Sequence, residues 1–552
     1  MKLSHTTAAA LGLIMNTALA ANANQPDVPP RVVADVLLRG GVVVDGTGAA
    51  RFQGDVALQG DRIVAVGSSA QVDARRVIDV AGLVVAPGFI DLHTHSDETL
   101  LEPGNRPNRN YTTQGVTTVV TGNCGLGAID AGAFLDAVAR GGAGSNVIHL
   151  IPLGAVRAEV MGNADRKPST AETARMRRIV ARGLDAGAWG VSTGLIYVPG
   201  RYASTSEIVD LAAIAGRRGG IYASHIRDEE AKLLESIDEA ITIGREAKMP
   251  AHISHLKANL KANWGMSRAA CAHIEAARAA GQAVTADQYP YRASSTRLGA
   301  MVTPPWSQND GPAGFARLAD DPVAGPKLRA AIQHELDIRD AGAALRIARF
   351  PARTSRVGKD LVAIAREEGT TPLEIVLDVE RRGGAQSISF GMSEDDVRQI
   401  MRHDYVATAS DGAAHRPGRG DRPHPRAYGT FPHKIRLALD SELLTLEQVV
   451  RSCSGLPAAI LHLRDRGVIR VGNRADLVVF DPAAVRDLAT FDNPTRYATG
   501  IAYVYVNGTP VVEASRATDT LPGRALRLQI DGPTAPPANS SAPHPSSPAV
   551  PK

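Results

Sequence analysis

Three cysteines in 552 residues, Cys124, Cys271 and Cys453, are too few and of the wrong parity for a disulfide framework. At least one thiol therefore has another task. Aromatic residues make up only 4% of the chain, and none falls in the densest basic stretch, "HRPGRGDRPHPR" at 415–426. A nucleobase would find no ring to stack on there. Charge of one sign is also scarce: 61 Lys and Arg stand against 57 Asp and Glu, a formal net charge of +4, so there is no electrostatic footprint for nucleic acid. No apolar run approaches the roughly 20 residues that a membrane-crossing helix needs.

The beginning, "MKLSHTTAAALGLIMNTALAANANQ", places Lys2 before a short apolar stretch at Leu11–Met15 and the small-residue pattern Ala18-Leu19-Ala20. That order is a secretory signal, assigned to residues 1–23, and implies a periplasmic or secreted protein. The end, 531–552, holds seven prolines in 22 residues and reads as a disordered tail.

Short β-like runs broken by glycine fill 33–86, and the same texture returns at 463–530 in "GVIRVGNRADLVVFDP" and "GIAYVYVNGTPVVEA". The two halves are expected to pack as one small β-sandwich domain built from both chain ends. Between them, over 87–462, apolar strands alternate with Ala-, Arg- and Glu-rich helical stretches. Eight strand candidates can be counted: "GFIDLHTH", "VTTVVTGNCG", "VIHLIPLGAV", "GAWGVSTGL", "IYASHIR", "AHISHLKA", "AVTADQYPY" and "YVATASDG". Eight buried parallel strands imply an α/β fold of the TIM-like (β/α)8 barrel type, with reactive groups at the C-terminal strand ends. The rhythm breaks at 297–353, where no strand is evident, and an inserted helical subdomain or lid is expected.

Polar residues of one chemical kind fall at those strand ends. His93 and His95 end the first strand two residues apart, so their side chains share a face. Cys124 ends the second, His225 the fifth, His255 the sixth and Asp411 the eighth. Each alone has a bland reading, as a core histidine, a small buried thiol or a turn aspartate. Together they would leave several unsatisfied polar groups, each costing about 2–7 kcal/mol, unless a metal holds them. Imidazoles with a thiolate and a carboxylate suit Zn²⁺ rather than Mg²⁺ or Ca²⁺. Zinc in an open site activates water and polarises a carbonyl, and Asp411 is placed to take the water's proton and pass it to a leaving amine. The expected chemistry is hydrolysis of an amide-like C–N bond.

The "GFIDLHTH" strand, the late "SDG" and "GVIRVGNRADLVVFDP" resemble the amidohydrolase superfamily over roughly 33–512. More narrowly, "TTQGVTTVVTGNCG", "STGLIYVPGRYAS", "YASHIRDE", "ISHLKA" and "HPRAYGTFPHKI" resemble the D-aminoacylases, the N-acyl-D-amino-acid deacylases. That resemblance implies one tight zinc on Cys124, His225 and His255, with His93, His95 and Asp411 around a second, weaker position. It also implies that Tyr197, Lys257 and Arg426 clamp the substrate's carboxylate. The fourth strand, "GAWGVSTGL", has no lysine to be carboxylated as a metal bridge, so Cys124 supplies the anionic ligand. The missing lysine weighs against cyclic amidases of the dihydroorotase kind and metal-dependent dipeptidases. A non-catalytic scaffold barrel would be expected to have lost ligands. The partner implied is a small acidic molecule, with no nucleic acid and no membrane span, and oligomeric state is left open.

Overall fold

The computed structural model describes residues 31–529 apart from Ala70 and Arg419. The expected leader at 1–23 and tail at 531–552 lie outside the described residues. No helix among the described residues is long and apolar enough to cross a membrane.

Each of the eight strand candidates contains a strand. They are Phe89–Asp91, Val116–Thr121, Asn146–His149, Gly190–Gly194, Ile221–His225, Ala251–Ile253, Val284–Gln288 and Val406–Thr408, here called the first to the eighth. Neighbours pair in parallel from the first to the third and from the fourth to the eighth. The third strand bends at Leu150 and continues as Ile151–Pro152 beside the fourth. First and eighth meet through Asp411 N donating to His93 O at 2.8 Å and His95 N to Gly412 O at 2.7 Å. Strands such as Val116–Thr121 are buried at every residue, because helices cover the outside and side chains fill the inside. In that strand, VTTVVT, apolar and small polar residues accordingly follow no in–out alternation. The surrounding helices show one apolar face: Leu233–Glu246 buries Leu233, Ile237, Ala240, Ile241 and Gly244 at helical spacing. The helix Thr170–Asp185 starts at a capping box between Ser169 and Glu172.

Strands from both chain ends share one nine-stranded sheet. The seam is Val84–Pro87 against Leu477–Phe480, antiparallel, over a core of Leu38, Val43, Val56, Ile63 and Val479. Asp476, the aspartate of "NRADLVVF", fastens this sheet to the barrel. It pairs with buried Arg466 and accepts from Asn146 Nδ2 at 3.1 Å and from Asn507 N at 2.6 Å. One boundary needs correction. The stretch expected to stay in this domain to residue 530 leaves it earlier: Leu526 N bonds Val147 O at 2.8 Å and Leu528 N bonds Gly187 O at 3.0 Å, so 523–528 run along the barrel.

The insertion also differs from expectation. It contains strands, and it extends beyond 297–353 on both sides. Ser294–Arg297, Gln386–Ser389 and Leu345–Arg349 form a three-stranded antiparallel sheet with Gln386–Ser389 in the middle. Helices including Gly311–Asp320, Ala324–Asp337 and Pro372–Arg381 pack on it around Leu298, Phe315, Leu328, Ile332, Ile347 and Ile375. The strand "LRIAR" is short and its partner lies far along the chain, so nothing local marks it as β. The subdomain is fastened over the C-terminal end of the barrel by Tyr202 OH to Asn309 Oδ1 at 2.6 Å and by Arg339 Nη2 to Glu230 Oε1 at 2.6 Å.

Candidate metal centre and active site

Three of the residues singled out at strand ends hold a left-handed backbone that side chains other than glycine rarely adopt: Cys124 at φ 53°, His255 at φ 36° and Asp411 at φ 52°. Such strain, of the order of 1–3 kcal/mol each, persists where the surroundings over-determine it, and it gathers at functional sites. The turns that hold it explain the glycines of the motifs. A Cβ on Gly194, in "STGL", would lie 2.1 Å from Cys124 O. The fourth strand can pass this close to the cysteine turn only without a side chain.

The thiol is the hub. Cys124 Sγ lies 3.2 Å from His93 Nε2, 3.5 Å from His255 Nε2 and 3.7 Å from His225 Nδ1. Asp411 Oδ1 lies 3.5 Å from His93 Nε2 and 3.2 Å from His95 Nε2. Donor atoms of His93, Cys124, His255 and Asp411 all fall within 4.8 Å of one another, as do those of His225, Glu229 and His255. All six metal-ligand candidates, His93, His95, Cys124, His225, His255 and Asp411, are thus brought together.

Burial pushes His93 down to about 4, against the pull of Asp287, and holds His225 well below the usual histidine range. Both rings are neutral and have lone pairs to give. Burial would raise the Asp411 carboxyl, but the Arg426 guanidinium beside it outweighs that and keeps it ionised. Burial, with Asp411 and Glu229 adding to it, raises the Cys124 thiol well above its ordinary value. His225 Nε2 is buried with no hydrogen-bond partner. A thiol that cannot ionise unaided, ringed by neutral imidazoles and an ionised carboxylate, is satisfied by a soft divalent cation, and the set fits Zn²⁺.

Of the three residues expected to clamp a carboxylate, Tyr197 reaches the insertion, its OH 2.9 Å from Thr296 Oγ1, with its ring 5.1 Å from that of His225. Lys257 is buried, its Nζ 2.8 Å from His255 Nδ1 and paired with Glu229. Arg426 Nη1 lies 2.8 Å from Asp411 Oδ2, while Nη2 donates to Ser295 O at 3.1 Å. Both cations stack near the Tyr289 ring, 5.7 Å from Lys257 and 4.7 Å from Arg426. Neither stands open as a bare surface charge.

Sequence reasoning missed the carboxylates behind the ligands. Asp287, on the seventh strand, accepts from His255 N at 2.6 Å and stands 2.8 Å from His252 Nε2 and 3.4 Å from His93 Nδ1. Asp91 accepts from His93 N at 3.2 Å and Ser410 N at 3.0 Å. Glu229 stands against His255 and Lys257. For Asp91 and Asp287 the available signal was a charged residue inside a strand, which must be paired if it is buried.

The amidohydrolase family model matches residues 76–512 of the chain. The chain is 37% identical to the D-aminoacylase of Alcaligenes xylosoxydans xylosoxydans over 518 residues, covering 89% of this chain and 97% of that protein. It is 36% identical to the N-acyl-D-aspartate deacylase of the same organism over 526 residues, covering 89% and 95%. Among solved structures it is similar to the N-acyl-D-glutamate deacylase of Bordetella bronchiseptica, complexed with zinc and a phosphonate mimic of the tetrahedral intermediate. That likeness has a TM-score of 0.77 at 34% identity and covers 90% of this chain and 99% of the other.

Proposed function

This chain belongs to the amidohydrolase family and, within it, to the D-aminoacylases, and from that premise we propose that it hydrolyses the amide bond of N-acyl-D-amino acids, giving a carboxylate and a free D-amino acid. The observation that carries the reading is Cys124 at the centre of three imidazoles with an ionised Asp411 beside them. Cys124, His225 and His255 would hold one zinc, and His93, His95 and Asp411 border a second position. Zinc there supplies a Lewis acid that polarises the amide carbonyl and brings the pKa of water to roughly 7.

The chain's own residues do the rest. Asp411, ionised and aimed into the cluster, accepts the attacking water's proton and returns it to the amine nitrogen as the C–N bond breaks. Tyr197, Lys257 and Arg426 orient the substrate through its free carboxylate. Lys257 and Arg426 already hold Glu229 and Asp411, so the substrate carboxylate enters as a further partner of each cation. The fourth strand, Gly190–Gly194, has no lysine to carry a carboxylate bridge, which sets the chain apart from cyclic amidases that use one. The leader pattern supports export to the periplasm or medium, tested by fractionating cells that produce the full chain.

The deciding experiment is a panel of N-acetyl-D- and N-acetyl-L-amino acids with apolar and acidic side chains, run beside the zinc content of the purified protein. Turnover of D-substrates with bound zinc is expected. Zinc-free protein, or turnover confined to L-substrates or cyclic amides, would overturn the reading.

A further inference from the structure

We propose that Glu229 is a positioning residue that sets the tautomer of His255: it accepts a hydrogen bond from the Nδ1–H of that ring and draws the Lys257 ammonium onto its own carboxylate, so that Nε2 offers its lone pair beside Cys124. The inference rests on the zinc reading above, in which His255 is a ligand.

His255 Nε2 faces Cys124 Sγ at 3.5 Å, so its other nitrogen looks away from the cluster. Nδ1 meets two groups of opposite kind, Glu229 Oε1 at 2.9 Å and Lys257 Nζ at 2.8 Å. An ammonium can only donate and an ionised carboxylate can only accept. If Lys257 alone met Nδ1, the ring would accept there and carry its proton on Nε2, closing the lone pair needed for a cation. An imidazole that gives Nε2 to a metal carries its proton on Nδ1, and that N–H needs an acceptor. Glu229 is that acceptor, and it also holds the competing ammonium.

Glu229 Oε1 meets both the Lys257 ammonium and the His255 ring nitrogen, the place of a carboxylate acceptor between two donors. Its loop is pinned from the far side, with Asn259 N donating to Glu229 O at 2.8 Å. Direct ligation by Glu229 fits less well. Its Oε2 lies 3.8 Å from His225 Nε2, and a cation placed among His225, Glu229 and His255 would share that space with the Lys257 ammonium.

The test is chelator competition for zinc on the full chain, comparing parent, Glu229→Ala, Glu229→Gln, Lys257→Met, the double variant Glu229→Ala/Lys257→Met, and Cys124→Ala. Removing the partner of a metal-bound histidine lowers metal affinity 10–100-fold in general, and that loss is expected for Glu229→Ala. The double variant should regain most of it, because the ammonium that misdirects Nδ1 is gone. A purely structural role predicts a double variant at least as weak as the single one. Glu229→Gln keeps the shape and an acceptor but not the charge that holds Lys257, and should fall between. Affinity unchanged in both Glu229 variants, or no recovery in the double variant, would overturn the positioning role alone. A parent that holds no zinc, or a Cys124→Ala variant that holds it as tightly, would overturn the zinc reading together with it.

Discussion

Arg426 and Asp411 form a buried ion pair, Nη1 to Oδ2 at 2.8 Å, at the point where the eighth strand ends and the helix Arg426–Asp440 begins. The pair joins the group assigned to hold substrate with the group assigned to move the proton. Arg426→Met should therefore lower kcat as well as raise KM. A lost hydrogen bond to a charged group is worth about 1.5–3 kcal/mol, or roughly tenfold to a hundredfold in rate. A change in KM alone would mean that Arg426 only binds the substrate.

Asp411→Asn separates proton transfer from binding. Asparagine is nearly the same size and tolerates the left-handed backbone at this position, so the turn should persist. Zinc on Cys124, His225 and His255 should remain while kcat falls by roughly 10² to 10⁴, the span of a positioned acid-base group. Metal analysis beside kcat on an N-acetyl-D-amino acid decides it. Full turnover would remove the base role, and loss of all zinc would make Asp411 a structural ligand.

The barrel and its donors were legible because each left a local trace. Strand-like segments alternate eight times with helical stretches, and a histidine, cysteine or aspartate visibly closes several of them. Glu229 left no such trace, since "IRDEE" reads as a solvated charged loop until folding lays it against Lys257. Asp287 was visible as an acid inside a strand, but its partners His252 and His93 come from two other strands. The insertion's sheet pairs segments far apart in sequence, and its short strands carry arginine and serine, which give no period to read. The left-handed backbone at Cys124, His255 and Asp411 is a property of the assembled site rather than of those residue types.

Glu380, in the insertion, gives a pH dependence away from the metal centre. Burial pushes its carboxyl up to about 7, against Arg297, and its Oε1 has no hydrogen-bond partner. Below the ordinary value near 4.5 the group is neutral in both folded and unfolded chains and costs nothing. As pH rises from there towards 7, the unfolded chain ionises first, so the folded state holds the extra proton and loses stability, by roughly 3 kcal/mol once pH exceeds 7. Glu380→Gln should raise the denaturation midpoint at pH 8 more than at pH 5. Equal effects at the two pH values would show that the carboxyl ionises in the fold at its ordinary value.

Gly194 gives the sharpest test of how the fold shapes the thiol site. Its missing side chain lets the fourth strand lie against the cysteine turn: an added Cβ would sit 2.1 Å from Cys124 O and 2.7 Å from Tyr197 Cδ2. The first neighbour is backbone and cannot rotate away, so Gly194→Ala must displace the turn that holds Cys124 at φ 53°. Overpacking of this kind costs about 1–3 kcal/mol in stability. The larger consequence falls on geometry, because Cys124 Sγ is the atom on which His93, His225 and His255 converge. Gly194→Ala should therefore weaken zinc retention and lower kcat beyond what its modest loss of stability explains. Zinc affinity measured by chelator competition, beside the denaturation midpoint, checks this. A variant destabilised yet holding zinc as tightly as the parent would show that the turn adapts without moving the thiol, and that the strained backbone is not what aims it.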